Sequence, residues 1–207
     1  MSSNYGSPRL GISNIVYGRR NLNGRVEYLL DHSDGVQSYE IPEQIVLKRW
    51  KAKDGTPRAV RYSGFRLKPN TWKSLSFVFG FDVKRLSELN AGQINTCFSE
   101  SCRDEEFNSR NFNKIDGYKV EILIKALGSE KMLQILKRHN DPEFPERYGT
   151  PDLFLFATKI DENKIDHFRF VEVKRPRERL SADQINELDF LKNELNLKAR
   201  VLRLIEQ

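Results

Sequence analysis

Sulfur and histidine are scarce in this chain, which has two cysteines, two methionines and three histidines in 207 residues. Cys97 and Cys102 are spaced Cys-X4-Cys with no second pair and no nearby histidine. That excludes a disulfide framework and leaves no zinc-finger ligand set. A reducing, cytoplasmic setting fits such usage: beside the nucleoid in a prokaryote or phage-infected cell, or in the nucleus of a eukaryote. Long apolar runs are missing as well. No stretch approaches the ~18 residues of a membrane span, and Met1-Ser2-Ser3-Asn4-Tyr5-Gly6 lacks the apolar core of a secretory signal. The expectation is a protein with no membrane contact.

Acidic residues are short in the first half only. Residues 1–95 hold 15 Lys/Arg against 8 Asp/Glu, whereas residues 96–207 hold 20 against 21, so the net charge of +6 belongs to the N-terminal side. There Arg49, Lys51, Lys53, Arg58, Arg61, Arg66 and Lys73 are interleaved with Trp50, Tyr62, Phe65, Trp72, Phe77 and Phe79. Cations neutralise phosphates, and exposed aromatic faces stack on unpaired bases. The mixture points to a nucleic-acid surface; in the plainer reading the aromatics form a core that the basic residues solubilise.

The most informative stretch runs from Gly149 to Gln184. Pro151-Asp152 leads into the apolar run Leu153–Phe156, and Phe170-Val171-Glu172-Val173-Lys174 forms a second run. The polar turn Asp161-Glu162-Asn163-Lys164 between them predicts a hairpin. Side chains alternate along a strand, so Glu172 and Lys174 share a face about 6–7 Å apart. Hairpin pairing brings Asp152 beside Glu172. Two carboxylates and an amine in one patch suit a divalent metal held against a phosphate. Magnesium takes oxygen ligands, which Asp152, Glu172 and the backbone carbonyl of Val173 supply. Lys174 is a compact charge for the attacking water or the phosphate. A Glu-X-Lys on a strand face is often a solvated pair, and an Asp after Pro is often a turn residue. Here the flanking run is apolar enough to bury both faces, where unpartnered charges are costly.

Pro151-Asp152 followed by Glu172-Val173-Lys174 resembles the PD-(D/E)XK nuclease superfamily. The longer string from Glu172 through Arg175, Arg179, Leu180 and Ser181 to Gln184 resembles its virus-type replication-repair branch, the VRR-NUC domain. The resemblance covers roughly residues 118–204. It implies an α/β, restriction-endonuclease-like core, a mixed sheet flanked by helices, that cuts DNA with Mg2+ or Mn2+. It also implies metal-ligand roles for Asp152 and Glu172, a catalytic role for Lys174 and a supporting role for Gln184. Arg175 and Arg179, basic residues beside these, are further candidates for nucleic-acid contact. A preceding helix that carries a further acid is implied too, and Glu121 matches it best, with a strand over Lys131–Arg138 behind it. Arg175 stands where the family commonly has glycine, and Glu178 where it commonly has aspartate. Ser181-X-X-Gln184 is equally a capping box, so both readings of Gln184 stand.

Ahead of this core the pattern predicts a basic, β-rich module over 1–90. Its expected strands are Ser13–Tyr17, Val26–Asp31, Ile45–Lys51 and Ala59–Arg66, with an Asp54-Gly55 hairpin turn and a helix opening at Pro69 or Asn70. A connector over 91–115 and the nuclease domain over 116–207 follow. After Gln184, Ile185, Leu188, Leu191 and Leu195 form a helical stripe, and Ala199–Ile205 a closing strand. The function expected is a structure-selective, metal-dependent DNA nuclease, a homodimer if it makes paired cuts. The alternative is a nucleic-acid-binding protein on an inactive nuclease scaffold.

Overall fold

The computed structural model describes residues 17–20, 26–32, 35–39, 41–51, 60–142, 149–162, 164–175 and 178–204, with side chains described from residue 41 onward. Strands β1 (Tyr17–Arg20), β2 (Val26–His32) and β3 (Gly35–Tyr39) form an antiparallel sheet in the order β1-β2-β3. The strand expected at Val26–Asp31 is present. β1 begins at Tyr17, the last residue of the strand expected at Ser13–Tyr17, and runs on to Arg20, while residues 13–16 lie outside the described residues.

Helix α1 (Pro42–Lys51) replaces the strand expected at Ile45–Lys51. Proline in the first turn, Glu43 beside it, and Lys48, Arg49 and Lys51 in the last turn match the helix dipole at both ends. The run Ile45-Val46-Leu47 looks strand-like over so short a window, and packing overrides that local preference. β4 (Val60–Arg66) occupies the strand expected at Ala59–Arg66. Its partner is the later strand β5 (Leu153–Lys159), not residues 45–51. The turn at Asp54-Gly55 lies outside the described residues.

Between β4 and β5 the chain is helical: α2 (Thr71–Phe79), α3 (Val83–Glu88), α4 (Ala91–Ser101), α5 (Glu105–Ser109) and α6 (Gly117–His139). The expected connector thus holds α4, opened by a capping box between Asn90 and Gln93, and α5. Gly128, at φ 72°, interrupts α6 in a conformation that glycine adopts without steric cost. Beyond it Lys131–Arg138 is helix, not strand. Met132, Ile135, Leu136 and His139 are buried at spacing i, i+3, i+4, i+7, the signature of a helix face.

The remaining core strands are β5 and β6 (Lys164–Lys174), followed by α7 (Ala182–Asp189), a π-helical turn over Phe190–Glu194, and β7 (Ala199–Arg203). The sheet order is β4-β5-β6-β7, antiparallel except for the parallel β6–β7 pair. This is the expected mixed sheet flanked by helices. Ile45, Val46 and Trp50 of α1 pack with Tyr62, Leu155, Ala157, Val171 and Val173. Gly64 allows that approach, since a Cβ there would meet Leu155 Cδ2 at 2.7 Å and Leu47 Cδ2 at 3.1 Å. Phe154 makes ring contacts with Phe65 and Phe170 at 5.5 and 5.2 Å. Among the interleaved aromatics, Trp50, Tyr62, Phe65 and Trp72 are buried, so they are core and not base-stacking platforms.

Two compact units result, Met1–Arg66 with Pro151–Gln207, and Leu67–Thr150. These cut the chain differently from the division into 1–90, 91–115 and 116–207, because β4 pairs with a strand from the C-terminal side. No helix among the described residues is long and apolar enough to cross a membrane.

Candidate active site

The β5–β6 register places Leu153 opposite Val171, which carries Asp152, one residue earlier, to the position opposite Glu172. The Val173 backbone N–H donates to Asp152 Oδ2 at 2.8 Å, fixing the carboxylate against β6. Glu172 and Lys174 lie on one face of β6 and are 2 and 4 % exposed. Lys174 Nζ is 3.0 Å from Glu172 Oε1 and 3.3 Å from Glu178 Oε1. Burial of an unpaired ammonium or carboxylate costs several kcal/mol, so each group here depends on the other.

Gln184 closes a capping box and also reaches Glu172. Ser181 Oγ accepts from the Gln184 backbone N–H at 3.2 Å, and Gln184 Oε1 accepts from the Ser181 N–H at 3.0 Å, closing the capping box of α7. Its Nε2 donates to Glu172 Oε1 at 2.5 Å. The loop after Lys174 is held by Glu178 Oε2, which accepts from the Arg175 N–H at 3.0 Å. Arg203 Nη1 also donates to the carbonyls of Arg175 and Glu178.

A cleft of about 760 Å³ opens over these groups, lined by Pro42, Glu43, Arg66, Asp152, Glu172, Val173, Lys174, Arg175, Glu178 and Gln184, with Ile41 at its edge. Glu43 has no counterpart among the sequence-derived site residues. It sits in the first turn of α1; its Oε1 is 3.3 Å from Arg66 Nη2, and its buried Oε2 has no hydrogen-bond partner among the described residues. The dipeptide Pro42-Glu43 is a helix-start signal. The strand-like run that follows it masks that signal.

Electrostatics follow from burial. Glu172 is pushed up to about 7 by burial and then by the neighbouring charge of Asp152, against the pull of Lys174. Burial likewise raises Asp152, opposed by its hydrogen bond from Val173, and Glu43 adds to the rise. For Lys174 burial works downward, but the hydrogen bonds and charges of Glu172 and Glu178 outweigh it and hold the amine above its ordinary value. Lys174 is therefore an ammonium at neutral pH.

The donor set fits a divalent cation. Asp152, Glu172 and Glu43 offer hard carboxylate oxygens, the first two pushed toward protonation by their surroundings, and Glu43 Oε2 lacks a donor. No group of three or more His, Cys, Asp or Glu side chains is gathered as metal ligands among the described residues. The carboxylates line one cleft without being drawn into a ligand cage. Glu121 belongs to the helical unit, where Lys125 pairs with its carboxylate.

The basic residues are dispersed. Arg66 and Arg175 line the cleft, Arg179 is exposed ahead of α7, and Lys51 and Arg61 are exposed on α1 and β4. Arg49 is half-buried, Lys73 lies on α2 of the helical unit, and Lys53 and Arg58 lie outside the described residues. Cys97 and Cys102 are not disulfide-bonded.

A family model described as the VRR-NUC domain matches residues 91–204. No curated protein matches the chain. Two crystal structures of paFAN1, bound to gapped DNA with a 2-nt and a 1-nt 5′ flap, are similar to it at 15 and 18 % identity and TM-scores of 0.46 and 0.43. The alignments cover 78 and 80 % of this chain and 35 % of each paFAN1 chain, so the chain spans about a third of the length of these relatives.

Proposed function

The chain belongs to the VRR-NUC family of nucleases, and from that premise we propose that it is a Mg2+- or Mn2+-dependent DNA nuclease that hydrolyses phosphodiester bonds. Its role in this reading is that of a structure-selective endonuclease in DNA repair, recombination or replication. One observation carries it: Asp152, Glu172, Lys174 and Gln184 line a single cleft and, with Val173, are joined through short hydrogen bonds and an ion pair.

Asp152 and Glu172 hold the cation, with the Val173 carbonyl as a further oxygen. We assign the third acid to Glu43, which lines the cleft, in place of Glu121. A divalent ion bound there supplies positive charge to a phosphoryl oxygen and lowers the pKa of a bound water. The residues of the chain do the rest. Lys174, kept as an ammonium by Glu172 and Glu178, orients the attacking water and offsets charge that builds on the phosphate. Gln184 holds Glu172 by its Oε1. Arg66 and Arg175, on the walls of the cleft, take the flanking phosphates, and Arg179 extends the basic rim.

The test is a panel of labelled DNA substrates (junction, flap, duplex end and single strand) incubated with Mg2+ or Mn2+, with and without EDTA. Metal-dependent cleavage that disappears in Asp152→Asn and Glu172→Gln is the expected result. Salt-sensitive DNA binding without cleavage under every condition would favour the inactive-scaffold alternative. One cleft cuts one strand, so paired cuts call for a homodimer, which light scattering reads directly.

A further inference from the structure

Arg169 lies three residues before Glu172 on β6, and by strand alternation on the opposite face of the sheet. Its Cζ stands 4.9 Å from the centroid of the Trp50 ring. That indole is fixed by a hydrogen bond from its Nε1 to the Phe156 carbonyl at 3.1 Å and by an edge contact with Tyr62 at 5.0 Å. The guanidinium is thereby oriented before anything binds.

Among the described residues Arg169 has no anionic partner. Its side chain is half-buried, its Nε is buried without a hydrogen-bond partner, and no described carboxylate pairs with it. The neighbouring acid, Asp166, is engaged by His167, whose Nδ1 lies 2.8 Å from its Oδ2. Arg200 on β7, opposite Val171 in the register, is exposed, and its charge joins burial in lowering the pKa of Arg169. Two arginines of like charge, one stacked and partly desolvated, gain nothing from each other. Such an arrangement is relieved by an acceptor-rich anion placed between them, for which the planar guanidinium is suited.

We propose that Arg169 and Arg200 form a second phosphate subsite, on the α1 face of the core sheet, that holds a backbone phosphodiester of bound nucleic acid away from the scissile one. The assignment rests on the nuclease reading for its choice of ligand. Arg169 is half-buried beside the α1 core and Arg200 is exposed, so a phosphate reaches the pair from the solvent side of that core.

The experiment is DNA binding to the full chain in EDTA, where no cutting occurs, measured as Kd against salt concentration for the wild type, Arg169→Met and Arg200→Gln. Methionine keeps apolar contact with Trp50 but removes the charge. Arg200→Gln changes an exposed side chain and carries the test should Arg169→Met fail to fold. For each variant the slope of log Kd against log salt should be shallower by about one, with weaker binding at low salt. The double variant should lose little more than either single one, because both groups hold one phosphate. Unchanged slopes in both variants, beside normal salt-dependent binding by the wild type, overturn the subsite and leave the nuclease reading intact. A wild type without salt-dependent binding overturns the nucleic-acid reading, and the subsite with it.

Discussion

Gln184 and Glu172 are joined by a hydrogen bond from Nε2 to Oε1, made by the same side-chain amide whose oxygen caps the start of α7. The helix terminus and the buried acid are thus held by a single residue, twelve positions along the chain from Glu172. Capping and the proposed support of Glu172 should separate by mutation. Ser181→Ala removes the cap alone and should cost about 1 kcal/mol of stability with cleavage kept within a few-fold. Gln184→Ala leaves the Ser181 cap on the backbone N–H of residue 184 but removes the reciprocal bond to the Ser181 N–H and the contact with Glu172, and cleavage should fall at least about tenfold. Equal activity in the two variants would reduce Gln184 to a capping residue.

The ion pair of Glu172 and Lys174 is nearly solvent-free, so Lys174→Ala leaves a buried carboxylate beside Asp152. A loss of about 3–5 kcal/mol in chemical denaturation is expected, with cleavage down by about 10²–10³ or more. The double variant Glu172→Gln/Lys174→Met removes both charges at similar volume and should regain most of that stability while staying inactive. Lys174→Ala with wild-type stability would mean that the pair is open to water.

Glu172 makes the metal-free protein sensitive to pH in a defined sense. Its folded value, about 7, lies above its ordinary 4.5, so between these values the native state keeps a proton that the unfolded chain has released. Stability therefore falls as pH rises through that window, by up to about 3 kcal/mol, and Asp152, also raised, acts in the same direction. Lys174 contributes stability below its ordinary 10.5 that is lost only above that value, outside the window. Denaturation in EDTA from pH 4.5 to 8 should show the decline, and Glu172→Gln should flatten it. A rise in stability across that range would contradict the assignment. Mg2+ should restore stability at the upper end, because metal binding needs the deprotonated carboxylates.

Glu43 and Glu121 make opposing claims on the third-acid role. Glu43→Gln should raise the Mg2+ concentration for half-maximal cleavage by about tenfold or more, whereas Glu121→Gln should leave it near the wild-type value. The reverse pattern would return the role to α6. Titrations of activity against Mg2+ and Mn2+ decide between them.

The site was legible where chemistry and strand alternation coincide. Glu172 and Lys174 two residues apart must share a face of β6, and the short polar turn before them lets hairpin pairing bring Asp152 across. Ser181-X-X-Gln184 likewise shows its capping role in four letters. The helix over Lys131–Arg138 was legible too, from its i, i+3, i+4, i+7 spacing, but the strand order that the family resemblance implies masks it.

Local pattern alone determined a two-carboxylate, one-amine patch on a buried hairpin, because side-chain alternation and register are properties of neighbouring residues. Only the tertiary structure decided that Ile45–Lys51 is a helix, that β4 pairs with β5 across an inserted helical unit, and that Glu43 lines the cleft with Asp152. Those outcomes depend on which apolar faces find each other over separations near a hundred residues. Long-range burial of that kind leaves no periodic trace in the segments it joins.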